Sequence, residues 1–276
     1  MDSLIEVDDL SVHFPTDSGV VRAVDGISFQ VKPGEVLGLV GESGSGKSVT
    51  ALALLQLVDS PGRIVGGSIR FRRISGEIVD CARADAKTMR TIRGSDIAMI
   101  FQEPMTSLNP VYSIGNQIEE ALQAHGKLSR SELRNQVLAA LTRVRIPDAA
   151  RIAKSYPHEL SGGMRQRAMI AMALSCRPRL LLVDEPTTAL DVTIQAQILE
   201  LLRQLQQDMN MAMIFITHDL GVIAQVADRV MVMHDGKIVE SNGIEQIFAA
   251  PQHEYTKMLL AAVPRFQAND RPLGSG

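Results

Sequence analysis

The chain has 276 residues, 45% of them hydrophobic and 21% charged, with a formal net charge of -3. That make-up is ordinary for a globular protein with a sizeable core, and the slight acidity excludes a general electrostatic attraction to nucleic acid. Cys81 and Cys176 lie far apart in no CxxC pair or metal-like cluster, which fits a reduced, cytoplasmic protein and excludes a disulfide scaffold.

The N-terminal MDSLIEVDDL is acidic and has no basic segment leading into a long apolar one, so no signal peptide is expected. No apolar run reaches the ~18 residues of a membrane-crossing helix, so any membrane role is expected to act from the surface, through partners. Residues 4–14 and 21–31 partly alternate apolar and polar positions across a polar link, which reads as antiparallel strands. Residues 35–40 form a short apolar strand that runs into a glycine-rich loop, and residues 47–58 are helix-like. Strands are expected again within 66–79, where Arg70, Arg72 and Arg73 read as a solvated strand edge.

Three more apolar runs follow, at 97–101 (IAMIF), 180–183 (LLLV) and 213–217 (MIFIT). Each is short and continuous, as for parallel strands buried on both faces. Helical patterns at 116–125, 131–144, 164–175 and 194–207 separate them. The expected fold class is therefore α/β, with a parallel core sheet, an N-terminal antiparallel β part and an inserted helical segment. The expected division is 1–102 with 176–243 as the core, 103–175 as a helical subdomain, and 244–276 as a C-terminal helical extension and tail.

Gly41, Glu42, Ser43, Gly44, Ser45, Gly46, Lys47 and Ser48 fit G-x-x-x-x-G-K-[ST] in full, between an apolar strand and a helix that takes in Val49. Glycines let the backbone wrap closely around phosphates, and the helix start adds its positive dipole end. Lys47 is placed to reach the β and γ phosphates of ATP, and the Ser48 hydroxyl to ligate Mg²⁺. The strand at 180–183 ends in Asp184, suited to holding Mg²⁺, and Glu185, suited to polarising the attacking water. Gln102 and His218 directly follow two other apolar strands. In a parallel sheet the four strand ends share one edge, where ligands bind. Ser161, Gly162 and Gly163 precede the helical pattern from Met164, and offer a cap and exposed amides for a second anion site.

The order of Gly41–Ser48, Gln102, LSGGM at 160–164, LLLVDE at 180–185, Ala189-Leu190-Asp191 and His218 resembles the ATP-binding cassette (ABC) ATPases over nearly the whole chain. The resemblance makes these segments the Walker A loop, Q-loop, signature, Walker B, D-loop and H-loop of a P-loop NTPase with a RecA-like core. It makes Phe14 the aromatic that stacks on adenine. Met164 departs from the glutamine that many members carry. The resemblance implies a second cassette, packed head to tail, whose nucleotide faces Ser161, Gly162 and Gly163, with Asp191 at the dimer interface. It implies that Glu185 acts on water, His218 contacts the γ-phosphate, and Gln102 senses Mg²⁺ and relays to the membrane subunits.

The segments 102–110, 145–147, 155–167, 173–178, 251–256 and 259–264 are similar to the peptide and nickel importer subfamily, closest to the leading cassette of glutathione importers, then to dipeptide and oligopeptide importers. That similarity implies an ATPase on the cytoplasmic face of the inner membrane, two integral permease subunits and, indirectly, a solute-binding protein. No cysteine follows Cys176, so the iron–sulfur cluster of some relatives is not expected. A nickel importer ATPase and a soluble ABC ATPase acting on DNA or ribosomes are the alternatives, and the second lacks any visible zinc site or basic linker.

Overall fold

The computed structural model describes residues 2–102, 107–187 and 191–262. Strands β1 (Ile5–Thr16), β2 (Gly19–Val31), β4 (Arg63–Arg72) and β5 (Ile78–Asp80) form an antiparallel sheet in the order β2-β1-β4-β5. A second sheet contains β3 (Val36–Val40), β6 (Ile97–Ile100), β7 (Leu180–Asp184), β8 (Ala212–Thr217), β9 (Arg229–His234) and β10 (Lys237–Gly243), in the order β10-β9-β3-β8-β7-β6. All neighbours in it are parallel except β10 on β9. The expected parallel run β3-β8-β7-β6 is present, and β9 extends it by a strand that the sequence pattern did not single out.

The parallel strands are apolar along their middles because both faces are covered. Leu180 and Leu182 join the core under the antiparallel sheet, whereas Leu181 and Val183 join the core on the other face. This is the two-residue period of a strand, with both sets of side chains buried.

On the first face lie α1 (Lys47–Leu54) and α2 (Ala86–Ile92). Helix α1 stops at Leu54 instead of running to Val58, because Gln56 takes a left-handed φ of 49° and the chain turns toward Pro61. On the second face lie α3 (Ile114–Gln123), α4 (Arg130–Arg143), α5 (Ala149–Ile152), α6 (Gly162–Leu174), α7 (Val192–Met209) and α8 (Leu220–Val226). The start of α4 is fixed by a capping box, in which Ser129 and Glu132 exchange hydrogen bonds. Among the described residues, 107–175 holds no strand. Its buried Ile118, Leu122, Leu141 and Ile170 are continuous with Leu181, Val183 and Phe215 of the sheet. Helices α9 (Ile244–Ala249) and α10 (Glu254–Ala262) follow β10. The segment 103–106 after Gln102, Ala189-Leu190 and the tail from residue 263 lie outside the described residues.

Candidate functional site: a phosphate loop facing two carboxylates

Strand β3 delivers the chain into the glycine loop, and packing dictates two of its glycines. A β-carbon on Gly41 would stand 2.1 Å from the Met233 carbonyl oxygen, and one on Gly46 would stand 2.1 Å from that of Ala23. Gly46 also has φ 104° and Gly44 φ 83°, which side-chain-bearing residues rarely adopt. Among the described residues, the backbone N–H groups of Gly44, Gly46, Lys47, Ser48 and Val49 find no protein acceptor. A cradle of free donors at a helix start is the arrangement that takes up phosphate oxygens.

Lys47 is buried, and its ammonium donates to the carbonyls of Gly41 and Glu42, both at 2.8 Å. Burial lowers its pKa below the usual lysine range, against the attraction of Glu185, Asp184 and Glu42. The ammonium is thus held by weak, exchangeable acceptors inside the loop, ready for a better anion.

Asp184 ends β7 next to this loop. Burial raises its pKa, hydrogen bonding from the Ser48 hydroxyl opposes that, Glu185 adds to it and Lys47 opposes it. Its Oδ1 atom is buried without a hydrogen-bond partner. An orphaned carboxylate oxygen beside a hydroxyl is a fitting donor set for a hard cation such as Mg²⁺. Among the described residues no group of three or more His, Cys, Asp and Glu is placed to hold a metal alone. Mg²⁺ would therefore take its remaining ligands from phosphate oxygens and water.

Glu185 leaves the strand with φ 43°, and its amide donates to the Ile216 carbonyl at 2.9 Å. That left-handed turn is a strained conformation of the kind found at functional sites. It sets the carboxylate between two neighbours. Gln102 Nε2 donates to Oε2 at 3.1 Å, and His218 Nδ1 lies 3.0 Å from Oε1. The His218 side chain is 65% exposed and that of Glu185 16%, so the pair stands at the rim of the site, with the carboxylate inward. The four strand ends Gly41, Gln102, Asp184 and His218 do share one sheet edge, since β3, β8, β7 and β6 run parallel.

Other expected residues are placed apart from this cluster. Ser161 caps α6, accepting from Met164 N at 3.3 Å. Ser161 and Gly162 are exposed, and among the described residues neither they nor Gly163 bond to 41–48. A β-carbon on Gly163 would stand 3.0 Å from Ile194 Cγ2, so the start of α6 rests on the first turn of α7. Asp191 begins that turn as its N-cap, accepting from Ile194 N at 2.9 Å, a local role that the sequence pattern did not reveal. Phe14 is half-buried, packed beside the antiparallel-sheet core and against Gly62, where a β-carbon would meet the ring at 2.3 Å. Tyr255, carried by α10, was not among the expected site residues, yet its hydroxyl accepts from Glu42 N at 3.0 Å.

A glycine loop, an adjacent Ser–Asp pair and a positioned glutamate on a parallel sheet edge define a P-loop nucleotide-binding protein. A family model described as ABC transporter matches residues 24–188, and the chain belongs to that family. It is similar to the glutathione import ATP-binding protein GsiA of Pectobacterium atrosepticum, 58% identical over 262 residues that cover 95% of this chain and 42% of that protein. GsiA of Escherichia coli K12 is 54% identical over 267 residues, which cover 96% of this chain and 43% of that one. The chain thus spans less than half the length of these relatives. Among solved structures, the ATP-binding cassette MJ0796 in a dimeric post-hydrolysis state with ADP and Pi is similar, with TM-score 0.75 and 26% identity, covering 87% of this chain and 98% of that one. So is cbiO1 from Clostridium perfringens, part of the ABC transporter complex cbiONQ, with TM-score 0.74 and 28% identity, covering 91% of this chain and 92% of that one.

Proposed function

We propose that the chain binds and hydrolyses ATP and powers import of a peptide of the glutathione, dipeptide or oligopeptide class through separate membrane subunits. The observation that carries the ATPase reading is the convergence of Lys47, Ser48, Asp184 and Glu185 on one sheet edge, below a row of unpaired loop amides. The amides and Lys47 would take the β and γ phosphates, and Ser48, Asp184 and Gln102 would hold Mg²⁺. When bound, Mg²⁺ neutralises charge on the phosphates. Glu185, oriented by Gln102 and His218, takes the proton of the attacking water, and His218 steadies the γ-phosphate side. Phe14 is assigned to the adenine.

The likeness to GsiA, a glutathione import ATP-binding protein, supports the cargo class. Exposure of Ser161 and Gly162, away from the chain's own loop, supports a site completed by the signature of a second cassette. The proposed working unit places the chain peripherally on the cytoplasmic face of the inner membrane, with two permease subunits and a solute-binding protein. No helix of the described residues is long and apolar enough to cross a membrane. A cavity of about 320 Å³ between β6 and α6, lined by Met99, Phe101, Met169 and Met172, adjoins Gln102 and suits contact with those subunits. The domain division proposed is 1–102 with 176–243, then 103–175, then 244–276.

The test is thermal unfolding with and without Mg·ATP. Nucleotide at ~100 times its dissociation constant adds ~2.7 kcal/mol, a rise of several degrees in Tm. Lys47→Ala is expected to lose most of that rise. An equal rise in this variant would place the nucleotide elsewhere. For cargo, uptake of labelled glutathione against a dipeptide by vesicles carrying the full transporter separates the peptide reading from a nickel importer.

A further inference from the structure

The side of the phosphate loop away from the nucleotide is built by the C-terminal part of the chain. The turn after β9 presses on it, since Gly236 N donates to the Ser45 carbonyl at 3.1 Å and the Met233 carbonyl fills the space a Gly41 side chain would need. Tyr255 of α10 completes that backing. It is 6% exposed, its ring stacks on His234 with centroids 3.9 Å apart, and its hydroxyl accepts the Glu42 N–H at 3.0 Å. Helix α10 is itself held, because Glu240 accepts from Gln252 N and His253 N, both at 2.9 Å, just before its first turn.

The backbone of Glu42 is therefore gripped on both sides of its α-carbon. Tyr255 holds its N–H, while its carbonyl takes the Lys47 ammonium at 2.8 Å and the Ser45 amide at 3.2 Å. When Lys47 turns to a phosphate, the carbonyl loses its strongest donor and the N–H bond to Tyr255 remains. We infer that Tyr255 is a positioning residue for ATP, a latch by which α10 holds the phosphate loop open for nucleotide after Lys47 has left it. This rests on the reading of Gly41–Ser48 as the ATP phosphate site, and adds that the C-terminal helix sets the loop's affinity.

The test pairs two measurements on the native chain and Tyr255→Phe, which keeps the ring on His234 and removes the acceptor. The first is amide exchange of Glu42 without nucleotide. It is expected to be protected in the native chain and at least ~10-fold faster in the variant, as for loss of a neutral acceptor. The second is ATP titration. The variant is expected to raise the KM and the Kd for Mg·ATP by roughly 3- to 10-fold, with kcat at saturation within about twofold. A packing role alone would instead lower Tm and leave KM unchanged. Equal Glu42 exchange in both chains overturns the latch itself. A protected Glu42 with unchanged KM overturns its role in ATP binding. A native chain that binds no Mg·ATP overturns the phosphate-loop reading, and the positioning role with it, while the exchange result still decides the hydrogen bond.

Discussion

Burial of Asp184 carries a stability cost. Burial raises its pKa, so the folded chain binds a proton there more tightly than the unfolded chain does. The sign follows by linkage. Ionising Asp184 costs stability as pH rises from the ordinary carboxylate value through the raised one. Asp184→Asn is therefore expected to raise Tm of the nucleotide-free protein near pH 7 while removing Mg²⁺-dependent ATP binding, with calorimetry as the check. A lower Tm together with intact Mg²⁺ dependence would contradict the assignment. In the native chain, Mg²⁺-dependent binding is expected to weaken on acidification at a pH above the ~3.9 of an ordinary aspartate. Gly46→Ala belongs to the same scale. With φ 104° and the Ala23 carbonyl 2.1 Å from the added carbon, the loop must shift, and ATP binding is expected to fall by more than tenfold, about 1.4 kcal/mol.

Helix starts do double duty in this chain. Asp191 caps α7 and Ser161 caps α6, and Gly163 brings the two starts together against Ile194. Asp191→Ala is expected to cost about 1 kcal/mol, roughly 2–4 °C in Tm, whereas Asp191→Asn, which still caps, is expected to stay near native. A large loss in Asp191→Asn would show that its charge, and not the cap, matters to folding. The sequence made several elements legible for physical reasons. Continuous runs such as LLLV and MIFI have no polar position to expose and are too short for a typical helix, so a strand covered on both sides fits them, and β7 and β8 are such strands. Strand β9 (RVMVMH) was missed because Arg229 and His234 bound it, leaving only four apolar residues, too short a run to stand out by pattern. The meeting of the loop with Asp184 and Glu185 was readable because each follows a strand of the parallel sheet, whose carboxyl ends share one edge. The Tyr255–Glu42 bond was not, because it joins positions 213 apart in sequence and depends on how α10 packs.

At the scale of the whole molecule, the described chain holds a loop without a signature opposite it. Among the described residues, Ser161 and Gly162 are exposed and bond to nothing in 41–48, and head-to-tail packing of two cassettes is proposed to bring each signature to the other's loop. Glu185→Gln with Mg·ATP is accordingly expected to sediment at twice the 30.0 kDa of one chain, and a Gly162→Asp change is expected to prevent this by setting a carboxylate against the γ-phosphate. A dimer that survives Gly162→Asp would move the interface elsewhere. The whole depends on Glu185 acting on water after nucleotide has bound. The most direct measurement is phosphate release from Mg·ATP by the native chain and by Glu185→Gln, with ATP occupancy measured in the same samples. Native turnover with a loss of at least ~100-fold in the variant at equal occupancy is the expected result. Equal phosphate release by the two chains would contradict the assignment of Glu185 as the group that activates water.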